Sequence, residues 1–356
     1  EAIDALELAD ALAGETPVIP TLLGHALVRA MRVREAEAVL RRAYTLDPEN
    51  PSLRLHLAVC LMRLHRPYEA RILLETLPQE ATVLSNLAGA TASCGLQREA
   101  VALARRAIAA DPQAVIARKT LPGMLAYAPE VTGAELTDAL IACARTLPRS
   151  SRPALADPRP ERRLRVGLLS GSLRTHPVGW LTIAAFESLD RGEFALACFG
   201  RRTANDAIAR RFAVRAESWT ELDGLDDAAI ADRIRDAGID ILIDLGGYGD
   251  TGHLTVCARR PAPVQVKWVG MQYHTTGLPE IDWFITDRWE TPPALAPLYT
   301  ERLLTMPDGY VCYSPPAYAP PVGPLPMLAQ GVPTFGCCNN LAKITPAVIE
   351  TWARIL

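Results

Sequence analysis

The sequence predicts two folds in series: a helical repeat domain over residues 1–148, then an α/β domain with a parallel sheet that opens at residue 164. Three observations carry this. The first part is rich in Ala, Leu, Arg and Glu at helical spacing, and it repeats itself. A Pro- and Arg-rich stretch without periodicity, residues 149–163, reads as a linker. Beyond it, short apolar runs alternate with helical patterns, the signature of a parallel sheet with helices on both faces.

A chain of 356 residues suits two or three domains. With 49% hydrophobic and 22% charged residues, it has ordinary globular composition. The formal charge of −3 argues against a nucleic acid or a membrane surface as partner. No apolar run reaches the length of a bilayer span. The opening residues, EAIDALELAD, read as an acidic helix rather than a secretory signal. The missing initiator Met suggests that the native start has been removed. Eight cysteines include no C-x-x-C pair, and most sit in apolar runs. They are expected to be buried, reduced thiols of a cytoplasmic protein. No His/Cys/Asp cluster has zinc spacing, so no metal is expected.

The repeat shows in three sets of positions. Leu23-Gly24, Leu57-Ala58 and Leu87-Ala88 are separated by 34 and then 30 residues, and Glu35-Ala36, Glu69-Ala70 and Glu99-Ala100 keep the same intervals. Each unit closes at a proline: Pro48, Pro78 and Pro112. The small residue lets two helices approach, and the proline stops the second helix. The pattern resembles tetratricopeptide repeats. The middle unit is short by one helical turn, and a fourth, weaker unit runs from Pro112 to Pro148. Such stacks present a concave groove that binds protein segments; the alternative is a rigid platform. His25, His56 and His65 read as helix residues rather than ligands.

In the α/β domain, residues 164–169, 194–199, 239–245, 264–269 and 283–286 read as strands and 226–237 as an amphipathic helix. Ligands of such sheets bind outside the carboxyl ends of the strands. Three loops leave those ends: LSGSLRTHPVGW (169–180), Gly246 to Gly249, which includes Tyr248, and Gly270 to Gly277, which includes His274 and Thr275. Their small residues let a ligand approach backbone N–H groups. Pro177 suits the first position of a helix, which puts His176 at the cap. The helix amino end disfavours imidazolium, so a neutral His176 could accept a proton as general base. The alternative is that it only caps the helix or bonds a loop carbonyl.

Residues 319–333 are proline-rich and read as an interlobe linker, with the lobe boundary expected at 325/326. A strand from Thr334 follows, then a loop with Asn339, Asn340 and Lys343, then a helix with Thr345 as cap and Pro346 at its first position. A lysine in a loop that feeds a helix start suits a phosphate. Only the first strand and helix of a second α/β lobe are present, so a truncated enzyme is expected.

From about Arg163 to the end the chain resembles the catalytic region of O-linked N-acetylglucosamine transferases, glycosyltransferase family 41. The matching stretches are LRVGLLSGSLRTHPVGWL (164–181), RPAPVQVKWVG (260–270), TTG (275–277), DWFITD (282–287) and FGCCNNLAKITPAVIETWARIL (335–356). The resemblance implies a GT-B fold, with a complete first lobe at 164–325 and a second lobe begun at 326–356. It implies inverting transfer, without a metal or other cofactor, from a UDP-sugar, UDP-N-acetylglucosamine first, to a Ser or Thr hydroxyl of a protein. It places His176 at the family's His-Pro motif as base or orienting residue, and Lys343 as the cation facing the diphosphate. Asn340 stands where the family has Gln, and Gly270 falls at a backbone contact near the sugar. Met271 to His274 replace the family's Tyr-Pro-Gly. Of the positions that form an asparagine ladder in animal members, here Leu22, His56 and Asn86, only one is Asn. A different class of function, a repeat scaffold fused to a catalytically silent sugar-nucleotide fold, is the alternative. A dehydrogenase ranks last, because no G-x-G-x-x-G follows a strand with an acidic residue about 20 positions on.

Overall fold

The computed structural model describes all residues except 1, 13–15, 31, 113, 156, 160, 202, 204, 250–252, 317 and 340–342. The chain forms two compact units, Glu1–Val131 with Gly336–Leu356, and Thr132–Phe335.

The first unit is a stack of helices: α1 (Ala2–Leu12), α2 (Val18–Arg29), α3 (Val33–Leu46), α4 (Pro51–Arg63), α5 (Pro67–Glu75), α6 (Ala81–Ser93), α7 (Gln97–Ala110) and α8 (Val115–Leu125). Each packs on the next. The small residues of the repeat sit at those contacts. A Cβ on Gly24 would lie 2.4 Å from the Leu40 side chain, and Ala58 and Ala88 are fully buried. Helix α5 has 9 residues where α3 and α7 have 14, which is the missing turn. Asn50 caps α4 by accepting from the Leu53 N–H at 3.2 Å, and Pro51 follows at the first position. His25 and His56 stack on each other, ring centroids 4.7 Å apart, and His65 turns the chain after α4 with φ +58°.

The second unit begins with α9 (Gly133–Ala144), which falls within the weak fourth repeat of the sequence. Ala144 and Leu147 lie in one core with Leu169, Phe199 and Leu242 of the sheet unit, so burial draws this helix to the sheet. The order continues β1 (Leu164–Leu169), α10 (Pro177–Glu187), β2 (Phe194–Phe199), α11 (Ala207–Arg215), β3 (Ser218–Thr220), α12 (Asp227–Asp236), β4 (Ile241–Asp244), α13 (Leu254–Cys257), β5 (Val264–Lys267), β6 (Trp283–Asp287), β7 (Arg302–Met306) and α14 (Pro326–Gln330). All pairings are parallel, in the order β3-β2-β1-β4-β5-β6-β7. Alternate residues feed two cores. Val166 and Leu168 meet α10 and α11 on one face, while Leu169 and Phe199 meet α12 and α13 on the other. Helices on both faces are what the continuous apolar strands predicted.

The structure corrects several expectations. The strand expected from Thr334 does not form: residues 331–339 are exposed and the sheet ends at β7, so no ladder receives it. Helix α14 occupies part of the stretch read as an interlobe linker. Strands β3 and β7 were not anticipated; β3 has three residues, and both lie at sheet edges, where the apolar run is short. All eight cysteines are free, but Cys312, Cys337 and Cys338 are exposed. Helix α15 (Pro346–Ile355) forms as expected, with the Thr345 hydroxyl accepting from the Val348 N–H at 3.4 Å. Among the described residues no helix is long and apolar enough to cross a membrane.

Candidate functional site at the carboxyl edge of the sheet

The chain runs outward from β1 through β2 to β3, then returns to the other side of β1 with β4 and continues to β7. The β1/β4 junction is therefore the topological switch point, where ligands of such sheets bind. The loops after β1 and β4 are those that carry His176 and Tyr248.

His176 is the N-cap of α10, with extended backbone and Pro177 at the first helical position. Its Nδ1 accepts a hydrogen bond from the Val178 N–H at 3.2 Å. A backbone N–H can only donate, so Nδ1 carries no proton in this arrangement. The neutral ring then holds its proton on Nε2. Half-burial holds the ring pKa below its usual value, and the Arg174 charge adds to this. The loop is pinned by Asp206, whose carboxylate accepts from the Thr175 N–H at 2.9 and 3.0 Å and from the Ala209 N–H at 2.8 Å, capping α11.

The loops after β4 and β5 share a buried ion pair. Asp244 and Lys267 are register partners on β4 and β5, 0% and 1% exposed in their side chains, with Nζ 3.3 Å from Oδ2. Burial pushes the Lys267 ammonium pKa down, with Asp244 opposing. The same carboxylate oxygen accepts from the Gly247 N–H at 2.8 Å. Lys267 also donates to the carbonyls of Trp268 at 3.2 Å and Val269 at 3.5 Å. This anchors a strained segment. Val269 has φ +58° and Met271 φ +56°, and a β-branched residue there is a true outlier. Gly270 lies between them, and a Cβ on it would stand 2.4 Å from the Leu245 carbonyl oxygen. Gly270→Ala is expected to destabilise the protein by about 1–3 kcal/mol through overpacking. Gly323→Ala, with nothing near its added Cβ, should stay within about 0.5 kcal/mol. Thermal unfolding of both variants checks this.

The remaining candidates are held firmly. Tyr248 donates its hydroxyl proton to the Thr276 carbonyl at 2.9 Å, and burial pushes its pKa up. His274 is 7% exposed, and burial holds its pKa down. Its Nδ1 lies 2.5 Å from the Thr275 carbonyl oxygen, which can only accept. The proton is therefore on Nδ1, and Nε2 is a buried lone pair with no hydrogen-bond partner among the described residues. Thr275 donates to Glu301 at 2.6 Å, and Glu301 also accepts from the Thr276 N–H at 2.8 Å.

Lys343 belongs to the other compact unit. It is exposed, with its ammonium 5.9 Å from the Tyr127 ring centroid. Asn340 lies outside the described residues. Asp206, Asp244, Lys267 and Glu301 were missed by the sequence reading. The acid that ends IDILID and the lysine inside VQVKWV were the available signals, since a charge in a buried strand needs a partner. RPAP serves the opposite edge. Buried Arg260 pairs with Asp282 at 2.7 and 2.9 Å and donates to the Glu280 carbonyl at 2.7 Å, ahead of β5 and β6.

Fold and site together define a helical-repeat protein joined to a doubly wound α/β lobe, with a polar ligand edge at its switch point. Residues 151–314 match glycosyl transferase family 41, and residues 27–94 match a tetratricopeptide repeat family. The chain is 39% identical over 201 residues to a Petunia hybrida protein named probable UDP-N-acetylglucosamine–peptide N-acetylglucosaminyltransferase SPINDLY. That match covers 55% of this chain and 22% of the relative. It is 33% identical over 151 residues to the Caenorhabditis elegans UDP-N-acetylglucosamine–peptide N-acetylglucosaminyltransferase, covering 42% of this chain and 13% of that one. A solved mutant of the Thermobaculum terrenum O-GlcNAc transferase matches with a TM-score of 0.86 at 30% identity, covering 96% of this chain and 66% of that chain. The chain thus spans about a fifth of the curated relatives' length.

Proposed function

We propose that this chain carries the repeat domain and first catalytic lobe of a protein O-glycosyltransferase. The enzyme moves N-acetylglucosamine from UDP-N-acetylglucosamine to Ser or Thr hydroxyls, with inversion and without a metal. The observation that carries this reading is a neutral histidine at a helix start on the switch-point edge of a family 41 lobe. The acceptor oxygen attacks the anomeric carbon as the bond to the diphosphate breaks, and the departing charge needs a cation. Lys343 supplies it, the kind of preorganised charge that usually contributes most to rate.

The role of His176 follows from its tautomer. With Nδ1 engaged by the Val178 N–H, the nitrogen left for a substrate is a donor. Protonating Nδ1 would break the cap. His176 therefore orients a substrate oxygen through Nε2–H, and the general-base role is set aside. His176→Asn puts a capping oxygen in place of Nδ1 and leaves no donor at the position of Nε2. It should hold stability within a few tenths of a kcal/mol while transfer falls about 10²-fold or more. His176→Ala should lose about 1 kcal/mol of stability as well. A base with a lowered pKa would show activity falling as pH drops through that pKa, below the ordinary imidazole range; an orienting donor adds no such limb there. Full activity in the Asn variant, or a limb that disappears in it, would refute the donor role. A donor-hydrolysis screen across UDP- and GDP-sugars tests the wider reading, and a saturable preference for a GDP-sugar would overturn the donor assignment.

A further inference from the structure

A cleft of about 360 Å³ lies between α10 and α11, away from the ligand edge. His176 caps the start of α10, whereas Glu187, at its end, lines the cleft. The 11 residues of α10, at ~1.5 Å each, put the two ~16 Å apart. Four arginines line the cleft with that one carboxylate: Arg191, Arg210, Arg211 and Arg215. Arg210, Arg211 and Val214 recur at helical spacing on one face of α11. The whole chain has a formal charge of −3, so this concentration of cations runs against its overall balance.

Three of the four are fixed in place, yet only one faces a carboxylate. Arg211 pairs with Glu187 through hydrogen bonds of 2.8 and 2.6 Å. Arg215, 4% exposed, donates to the carbonyls of Phe186 at 2.8 Å and Leu189 at 2.9 Å, at the carboxyl end of α10. Arg191 donates to the Val214 carbonyl at 3.1 Å, at the carboxyl end of α11. The exposed Arg210 guanidinium has no ion pair or hydrogen bond among the described residues. A helix carboxyl end carries about half a negative charge. With Glu187 and two helix ends set against four guanidiniums, about two positive charges remain. Burial, together with the Arg191 and Arg163 charges, pushes the Arg215 pKa down, and Glu217 and Asp190 oppose this. Neither acid lines the cleft: Glu217 pairs with Arg163, and Asp190 accepts from the Gly192 N–H at 2.7 Å.

We propose that this cleft binds the phosphate group of a small phosphate monoester. Such a group carries about 1.5 to 2 negative charges at pH 7, which matches the surplus. Guanidinium forks present paired N–H donors at the spacing of phosphate oxygens. Arg191 and Arg215 are already held by backbone carbonyls, so little side-chain freedom is lost on binding. The volume falls at the small end of ligand sites, which run from roughly 300 to 1,000 Å³. Exposed Val214 offers an apolar wall for the carbon skeleton of the ester. A lone carboxylate, with one charge, would leave part of the surplus unmatched. A phosphorylated side chain presents the same group, and its bulk distinguishes it from a free ester. The cleft stands apart from the transfer reaction, at the far end of α10 from His176.

Calorimetry of this chain with phenyl phosphate, phenyl sulfate and a phosphoserine decapeptide provides the test. Phenyl phosphate should saturate a single site and bind about tenfold tighter than phenyl sulfate, which has the same shape but one charge. It should also bind tighter than the phosphoserine peptide. Arg210→Gln should weaken phenyl phosphate about tenfold, the contribution of one charged hydrogen bond. Arg233→Gln, on α12 against the opposite face of the sheet, should leave the affinity unchanged. Circular dichroism verifies each fold, and Arg191→Gln carries the same test if Arg210→Gln unfolds. No saturable binding of phenyl phosphate at about 10 mM, equal affinity for the sulfate, or full affinity in Arg210→Gln would each overturn the proposal. Tighter binding of the phosphoserine peptide would overturn the small ester as the source of the group. Because the readout is binding, the outcome is separate from that of the transfer assays.

Discussion

Lys343→Ala is expected to lower sugar transfer about 10²–10³-fold while leaving the fold intact. The two effects separate because of where the residue sits. Lys343 is exposed, and its ammonium stands 5.9 Å from the Tyr127 ring centroid. An exposed cation over an aromatic ring contributes about 0.5–1 kcal/mol, so unfolding should shift little. A cation aimed at a departing diphosphate contributes far more, about 2.7–4 kcal/mol for a single preorganised group. Turnover of UDP-N-acetylglucosamine and calorimetry with UDP, both in the active enzyme, provide the check. Lys343→Arg keeps the charge and should recover part of the rate. Unchanged turnover in the Ala variant would remove Lys343 from the reaction.

Lys267→Met should be the most destabilising single change at the ligand edge, by about 3–5 kcal/mol, because it leaves the Asp244 carboxylate buried without its partner. That is a large part of the roughly 5–15 kcal/mol by which a domain is stable. Asp244 is already short of partners, since its Oδ1 accepts no hydrogen bond among the described residues. The double change Lys267→Met with Asp244→Asn should recover most of the loss, since replacing a buried pair is far milder than breaking it. The cycle is read from urea unfolding of the four proteins. Equal losses in the single and double variants would show that the pair is not the source. The strained backbone at Val269 gives a second readout. Without Lys267 its carbonyl loses a donor, and the loop that carries Gly270 should loosen in hydrogen exchange.

These two residues mark the limits of reading this chain in one dimension. Lys343 was visible as a candidate because it stands a short step before a capped helix start, a local arrangement with a physical meaning. His176 was visible for the same reason, and the structure bears out the cap. Lys267 was passed over because it sits inside an apolar run and reads as part of a strand. Its partner is 23 positions away, and only the β4–β5 register sets them side by side. The same holds for Thr275, picked for its loop, whose hydroxyl serves Glu301 across 26 positions. The strand expected at Thr334 failed for a related reason. Extended propensity is local, but a strand exists only where a neighbour accepts its hydrogen bonds.

What the sequence determined by itself was everything set by short-range physics. This includes the helical repeat with its small contact residues, the apolar strands, the proline and cap residues that start α4, α10 and α15, and the glycine loops at the strand ends. The tertiary structure decided what depends on partners distant along the chain. It paired Lys267 with Asp244, drew α9 to the sheet and stacked His25 on His56 across α2 and α4. It also turned His176 Nδ1 to the Val178 N–H, which leaves the proton of the neutral ring on Nε2. The reason is the same in each case. Local patterns fix φ, ψ and amphipathic faces, whereas the charge state and tautomer of a buried group are set by the atoms that folding places within about 3 Å of it.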